Sequence, residues 1–131
     1  MTSKEKKEQI QEKYVEFQLL QTRIEEVQQQ KQLISHQTTE LHKARESLDD
    51  IHDTSEGKHI YSQIGCGIFI LTKLEDAKNV LVTAGVNVFV SKTILEACEF
   101  LDVQIQQLEE NLNNIDAILR KAYNHLRTLQ Q

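Results

Sequence analysis

Among the side chains in this sequence that could ligate a metal, attack a carbonyl or move a proton are His36, His42, His52 and His59, the thiols Cys66 and Cys98, and the adjacent carboxylates Glu75 and Asp76. A zinc site needs several nitrogen or sulfur donors that converge, which along a helix means ligands three or four residues apart. These histidines have no such spacing, and neither cysteine has a second one nearby. Glu75 and Asp76 lie on a short polar connection with nothing around them to suggest burial. Gly65-x-Gly67 runs into Ile68-Phe69-Ile70-Leu71, a strand pattern, whereas a phosphate-cradling glycine loop opens a helix. It reads as a hairpin turn. No set of nucleophile, base and orienting group is visible. The expectation is a protein that is not an enzyme and takes no metal or cofactor, so the remaining chemistry is that of apolar surface.

That surface is carried by long helices. From Ile94 onward apolar residues alternate by four and three: Ile94, Cys98, Leu101, Ile105, Leu108, Leu112, Ile115, Leu119, Ala122, Leu126 and Leu129. A strict seven-residue repeat of this kind is the seam of a left-handed coiled coil, here on a helix about 50 Å long. The positions between are wet, from Gln104 and Glu109 to Asn113 and Asp116, so the helix has one apolar stripe and needs one partner. The partner is the first third of the chain, Lys4 to about Asp53, opened by Thr2 and Glu5 at capping-box spacing. One heptad line holds throughout: Leu20, Val27, Ile34, Leu41, Leu48. Its companion starts apolar at Ile10, Phe17 and Ile24 and turns polar at Lys31, Thr38 and Arg45, which weakens half the seam in mid-helix.

All four glycines fall in the central third, and there the period changes to two. Gly57 is placed to cap the first helix. Ile60, Ser62 and Ile64 form one strand, Gly65-Cys66 the turn, and Gly67 to Lys73 the return. After a polar link at 74–79, Val80, Val82 and Ala84 lead to a second turn at Gly85, with Val86, Val88 and Val90 returning. Thr93 and Glu96 then cap the last helix. The fold class is α+β, a long antiparallel two-helix coiled coil with two central β-hairpins. One domain covers residues 1–131, with helices at 3–54 and 93–131 and the hairpins at 58–92.

Both faces of Ile68, Phe69, Ile70 and Leu71 are apolar, and so are those of Val86, Val88, Phe89 and Val90. A sheet with one wet side alternates more cleanly, so the second face is expected to meet other subunits, whose strands close with these into a multi-subunit β-barrel. The isolated chain is expected to be poorly folded or self-associated, because backbone ordering offsets most of what its own seam buries. If the helices part near Asp53 and rejoin near Thr93, facing positions sum to about 146 in an antiparallel pair. Ile10 and Tyr14 then overhang and Phe17 meets Leu129. Ile10, Tyr14, Phe17, Leu126 and Leu129 form an exposed apolar end, a candidate binding surface.

The net charge of −5, with lysines and glutamates mixed, argues against nucleic acid. No apolar run approaches the roughly 20 residues needed to cross a bilayer, and two unpaired cysteines suit a reducing compartment. A cytoplasmic location and no membrane partner are expected.

With these elements in place, the chain resembles the alpha-type subunit of prefoldin (GimC). The resemblance spans nearly the whole sequence and rests most on Gln63-Ile64-Gly65-Cys66-Gly67-Ile68-Phe69, on Lys73-Leu74-Glu75-Asp76-Ala77-Lys78-Asn79-Val80-Leu81-Val82, and on Gly85-Val86-Asn87-Val88-Phe89-Val90-Ser91-Lys92-Thr93 with Glu96-Ala97. Where the family often carries Val-Pro before the first turn, this chain has Ser62-Gln63. The resemblance implies two alpha-type chains with four beta-type prefoldin subunits. It also implies ATP-independent holding of unfolded client proteins at the coiled-coil ends, and their delivery to a group II chaperonin. A scaffold subunit that assembles a complex without holding clients is the alternative.

Overall fold

Helix α1 (Ser3–His52) is followed by strands β1 (His59–Gly65), β2 (Ile68–Lys73), β3 (Asn79–Gly85) and β4 (Val88–Thr93) and by helix α2 (Ile94–Gln130) in a computed structural model that describes residues 2–130. α1 opens on a reciprocal capping box. Thr2 N–H donates to Glu5 Oε2 at 3.1 Å, and Glu5 N–H donates to Thr2 Oγ1 at 3.2 Å. Glu96 N–H likewise donates to Thr93 Oγ1 at 3.1 Å at the start of α2.

The described residues fall into two compact units, one formed by the chain up to Thr38 with the chain from Gln107 onward, the other by Thr39–Gln106. In the first, Ile24, Val27 and Leu119 form a buried core on which Leu20, Ile115, Ala122 and Leu126 pack. In the second, Ala77, Ile94, Ala97, Cys98 and Ile105 are buried, Ile94 to 1% exposure. All eleven α2 seam positions are buried or half-buried, as the heptad spacing requires.

The polar positions of the α1 seam also face inward, each with a partner. Lys31 Nζ reaches Asp116 Oδ1 at 2.7 Å in the first unit. Buried Thr38 turns its hydroxyl back to the Ile34 carbonyl at 2.8 Å. In the second unit Arg45 Nε donates to Asp102 Oδ1 at 2.9 Å, and its Nη1 donates to Asp49 and, at 3.1 Å, to Cys98 Sγ. The bonds to Asp102 and then Asp49 push the guanidinium further toward its charged form. Each ion pair lies close to the register expected for an antiparallel pair.

The hairpins are two separate two-stranded antiparallel sheets, β1 with β2 and β3 with β4. They repeat one plan. His59 pairs with Lys73 and Asn79 with Thr93, Gln63 with Phe69 and Thr83 with Phe89, and the register shifts before Gly65 and again before Gly85. Even the closing bonds match: Leu74 N–H donates to the Lys58 carbonyl at 2.9 Å, and Ile94 N–H to the Lys78 carbonyl at 2.8 Å.

Three local expectations are corrected. The first turn is Cys66-Gly67, both at positive φ (50° and 74°), as a two-residue turn of the primed type needs, and Gly65 belongs to a bulge in β1. The second turn is Val86-Asn87 with Asn87 at φ 60°, so Val86 lies outside β4 and is 92% exposed. Gly57 is left-handed (φ 84°) but does not cap α1, which ends at His52 in a tightened turn. Its N–H instead donates to the Leu74 carbonyl, tying the start of the first hairpin to its end.

Asp76 organises the link between hairpins. Its Oδ1 accepts the Lys78 N–H at 2.7 Å and the Asn79 N–H at 3.0 Å, and its Oδ2 accepts from Asn79 Nδ2 at 3.2 Å, an Asx-type turn. These bonds hold its carboxyl below the ordinary range, the Lys78 bond contributing most.

Replacing Leu119 by Ala is expected to cost about 2–4 kcal/mol in denaturant unfolding. Thr38→Val should lie within about 1 kcal/mol of wild type, because the hydroxyl serves only its own helix. A Leu119→Ala cost no larger than that of Thr38→Val contradicts the core assignment. A depressed carboxyl contributes order above its unfolded-state pKa and loses it as pH falls through the folded-state value. The Lys78 and Asn79 amide resonances should therefore titrate in NMR below the usual aspartate midpoint. A midpoint at the ordinary value removes Asp76 from that role.

Candidate functional site

Each hairpin presents a ribbon too narrow to bury its own side chains. Ile68, Phe69, Ile70 and Leu71 on β2 are exposed, as are Val88, Phe89 and Val90 on β4. Tyr61, Ile64 and Leu81 on the paired strands add to the same surfaces. The half-buried strand residues are Ile60, Ser62, Thr72, Val80, Val82 and Lys92. Thr72 and Ser62 share a 2.7 Å hydroxyl contact, and Thr72 Oγ1 also donates to the Ile60 carbonyl at 3.1 Å. Each strand has one hydrogen-bonded neighbour, which leaves its other edge open.

A second apolar surface lies in the other unit, where α1 begins and α2 ends. Ile10, Lys13, Tyr14, Phe17 and Leu129 line an open depression of about 250 Å³. Of the five residues expected to be exposed there, Ile10 (67%) and Tyr14 (61%) are, while Phe17, Leu126 and Leu129 are half-buried. Leu126 turns inward because it completes the core layer over Ile24, Val27 and Leu119. Ile10 and Tyr14 do not overhang wholly unpartnered, since Leu129 shares their depression. Tyr14 also accepts a bond from Gln18 Nε2 at 3.0 Å. Nearby, His125 Nε2 lies 3.1 Å from Glu16 Oε1, and Gln28 bonds the Tyr123 hydroxyl across the helix pair.

Among the described residues no group of three or more histidines, cysteines and carboxylates comes together as a metal site, and no helix is long and apolar enough to cross a membrane. Cys66 is exposed and Cys98 buried, both as free thiols.

Comparison with known proteins fits this arrangement of helices and ribbons. The profile of the family described as "Prefoldin subunit" matches residues 20–131. The chain belongs to the prefoldin family. Among its relatives is prefoldin subunit alpha of Archaeoglobus fulgidus, 26% identical over 122 residues, covering 93% of this chain and 89% of the relative. Prefoldin subunit alpha of Thermofilum pendens is 27% identical over 119 residues, covering 86% and 92%. A filamentous prefoldin from Methanocaldococcus jannaschii superposes with a TM-score of 0.72 at 18% identity, over 86% of this chain and 93% of that one, and shows the shared fold. The prefoldin beta subunit of Thermococcus strain KS-1 gives 0.63 at 24% identity, over 93% and 86%. As a prefoldin subunit, the chain is a component of a chaperone assembled from several such chains, which accounts for ribbons it cannot cover itself.

The double variant Phe69→Ser, Phe89→Ser should leave the helix content in circular dichroism unchanged. It should weaken assembly with beta-type prefoldin subunits at least about tenfold, each ring being worth on the order of 2 kcal/mol when buried. Light scattering after gel filtration reads the result. An intact complex at wild-type concentration means these rings are not at the interface.

Proposed function

We propose that this chain is an alpha-type prefoldin subunit, two of which assemble with four beta-type subunits through strands β1–β4. The complex holds non-native polypeptide at the ends of its helix pairs and passes it to a group II chaperonin in the cytoplasm. The curated relatives carrying the alpha name support the type.

The observation that carries the holding step is the pairing of exposed Ile10 and Tyr14 with half-buried Phe17 and Leu129 around one shallow depression. Apolar contact is non-directional, so a shallow greasy surface accepts clients of no fixed shape. Such a surface is open to solvent and binds weakly per chain, and several chains in one complex raise the avidity without any new contact. No nucleotide enters this scheme, because capture and release are an equilibrium between exposed surfaces. Delivery follows when a second protein competes for the same client or the same helix ends.

Ile10→Ser with Tyr14→Ser tests the holding step in a complex reconstituted with beta-type subunits. Assembly should be unaffected, because both residues belong to the unit that does not contain the hairpins. The concentration that half-suppresses aggregation of chemically unfolded citrate synthase should rise about fivefold, matching the loss of roughly 1 kcal/mol of contact. Unchanged suppression by an intact complex sinks the holding role and leaves the scaffold function in its place.

A further inference from the structure

α1 carries exposed apolar residues outside its seam as well as covered ones within it. At 100° per residue, Val15 lies about 180° from Ile24 and about 120° from Val27, while Leu19 lies about 140° from Ile24 and about 80° from Val27, on the flank of the seam. Val15 is 53% and Leu19 67% exposed, whereas Ile24 and Val27 are buried. The two exposed residues floor an open depression of about 460 Å³ whose other lining residues are Glu8, Gln11, Glu12 and Glu16. No cationic side chain lines it. Glu8, Glu12 and Glu16 follow one another at single-turn intervals and form a continuous acidic rim, with Glu16 steadied by His125 at 3.1 Å. The stretch precedes residue 20, where the match to the prefoldin profile begins.

We propose that this groove takes cationic amphipathic segments of client polypeptide, their apolar side chains resting on Val15 and Leu19 and their lysines or arginines meeting the glutamate rim. This rests on the client-holding function above and adds a preference to it. From Glu8 to Leu19 the groove runs about 16 Å along the helix, the length of three helical turns or of about five extended residues in a client. The occupant is set by charge complementarity. An anionic segment would bring like charges together along the whole rim, and a purely apolar one would leave the glutamates partly desolvated with no counter-charge. A second copy of this face would set glutamate against glutamate.

The test uses the complex reconstituted with beta-type subunits and three labelled amphipathic peptides of one leucine pattern, with lysine, glutamate or glutamine at the polar positions. Fluorescence anisotropy at low ionic strength should show the lysine peptide binding about tenfold tighter than the glutamate peptide, a difference that shrinks in high salt. Val15→Ser with Leu19→Gln should weaken the lysine peptide about fivefold, and Glu8→Gln with Glu12→Gln should bring the lysine and glutamate peptides within about twofold of each other. All four residues are exposed, so circular dichroism should show wild-type helix content. Equal affinity for the three peptides, or no effect of Val15→Ser with Leu19→Gln, overturns the proposal. So does self-association of the chain that the same substitutions abolish, which would make a second copy the occupant. The glutamine peptide separates the two levels. If it binds through Ile10 and Tyr14 while the groove variants change nothing, client holding stands and the groove preference falls. If no variant affects any peptide, both fall.

Discussion

A two-stranded ribbon with apolar side chains on both faces cannot bury either face by itself, and this constraint shapes the rest of the chain. Phe69 and Phe89 sit at matching positions of two hairpins built on one register, each followed by a β-branched residue and each left in solvent. Open strand edges add unpaired backbone groups to unburied rings, and both are resolved only when other strands arrive. The hairpins are separate small sheets, and each strand has an open edge. Their polar connection, tied by Asp76 and by the bonds from Leu74 and Gly57, fixes where each ribbon starts and leaves its far end free.

The helices obey a different compromise. A fully apolar seam would be more stable, yet Lys31, Thr38 and Arg45 occupy it. Each polar group is neutralised locally, by Asp116, by the helix's own carbonyl, and by Asp102 with Asp49, so none is buried without a partner. Half-exposed ion pairs of this kind add little net stability. They oppose a shift in register, because sliding either helix by one heptad would part the lysine from Asp116 and the arginine from Asp102.

Much of this was legible in the residues. The eleven-position repeat of α2 was complete, and every member is covered in the structure, because a coiled-coil seam is a local pattern that needs only a partner of similar length. The caps at Thr2 and Thr93 and the existence of both hairpins followed from short-range chemistry. The turns were misplaced by one residue because glycine marks a turn without saying whether it takes the tip or the adjoining bulge; Cys66 at φ 50° is the non-glycine that resolves it. The same uncertainty placed Val86 in a strand. Leu126 was expected at an open end, and the core layer that covers it depends on how far α1 extends alongside, a tertiary fact. The repetition of one hairpin by the other was missed, although Gly65 with Phe69 and Gly85 with Phe89 were a visible signal. The Val15–Leu19 groove was missed because the search followed a single stripe, and two apolar residues outside it do not form a heptad.

The central claim is that the β1–β4 ribbons are incomplete within one chain and are finished by strands of other prefoldin subunits. Hydrogen exchange read by mass spectrometry, with sedimentation in parallel, on the wild-type chain alone and with beta-type subunits tests it most directly. Alone, the chain should exchange fast throughout 59–93 or sediment as a self-associated species, and slow exchange of both hairpins should appear only in the complex with the partner subunits. A monomer at micromolar concentration whose hairpin amides are already slow would contradict it.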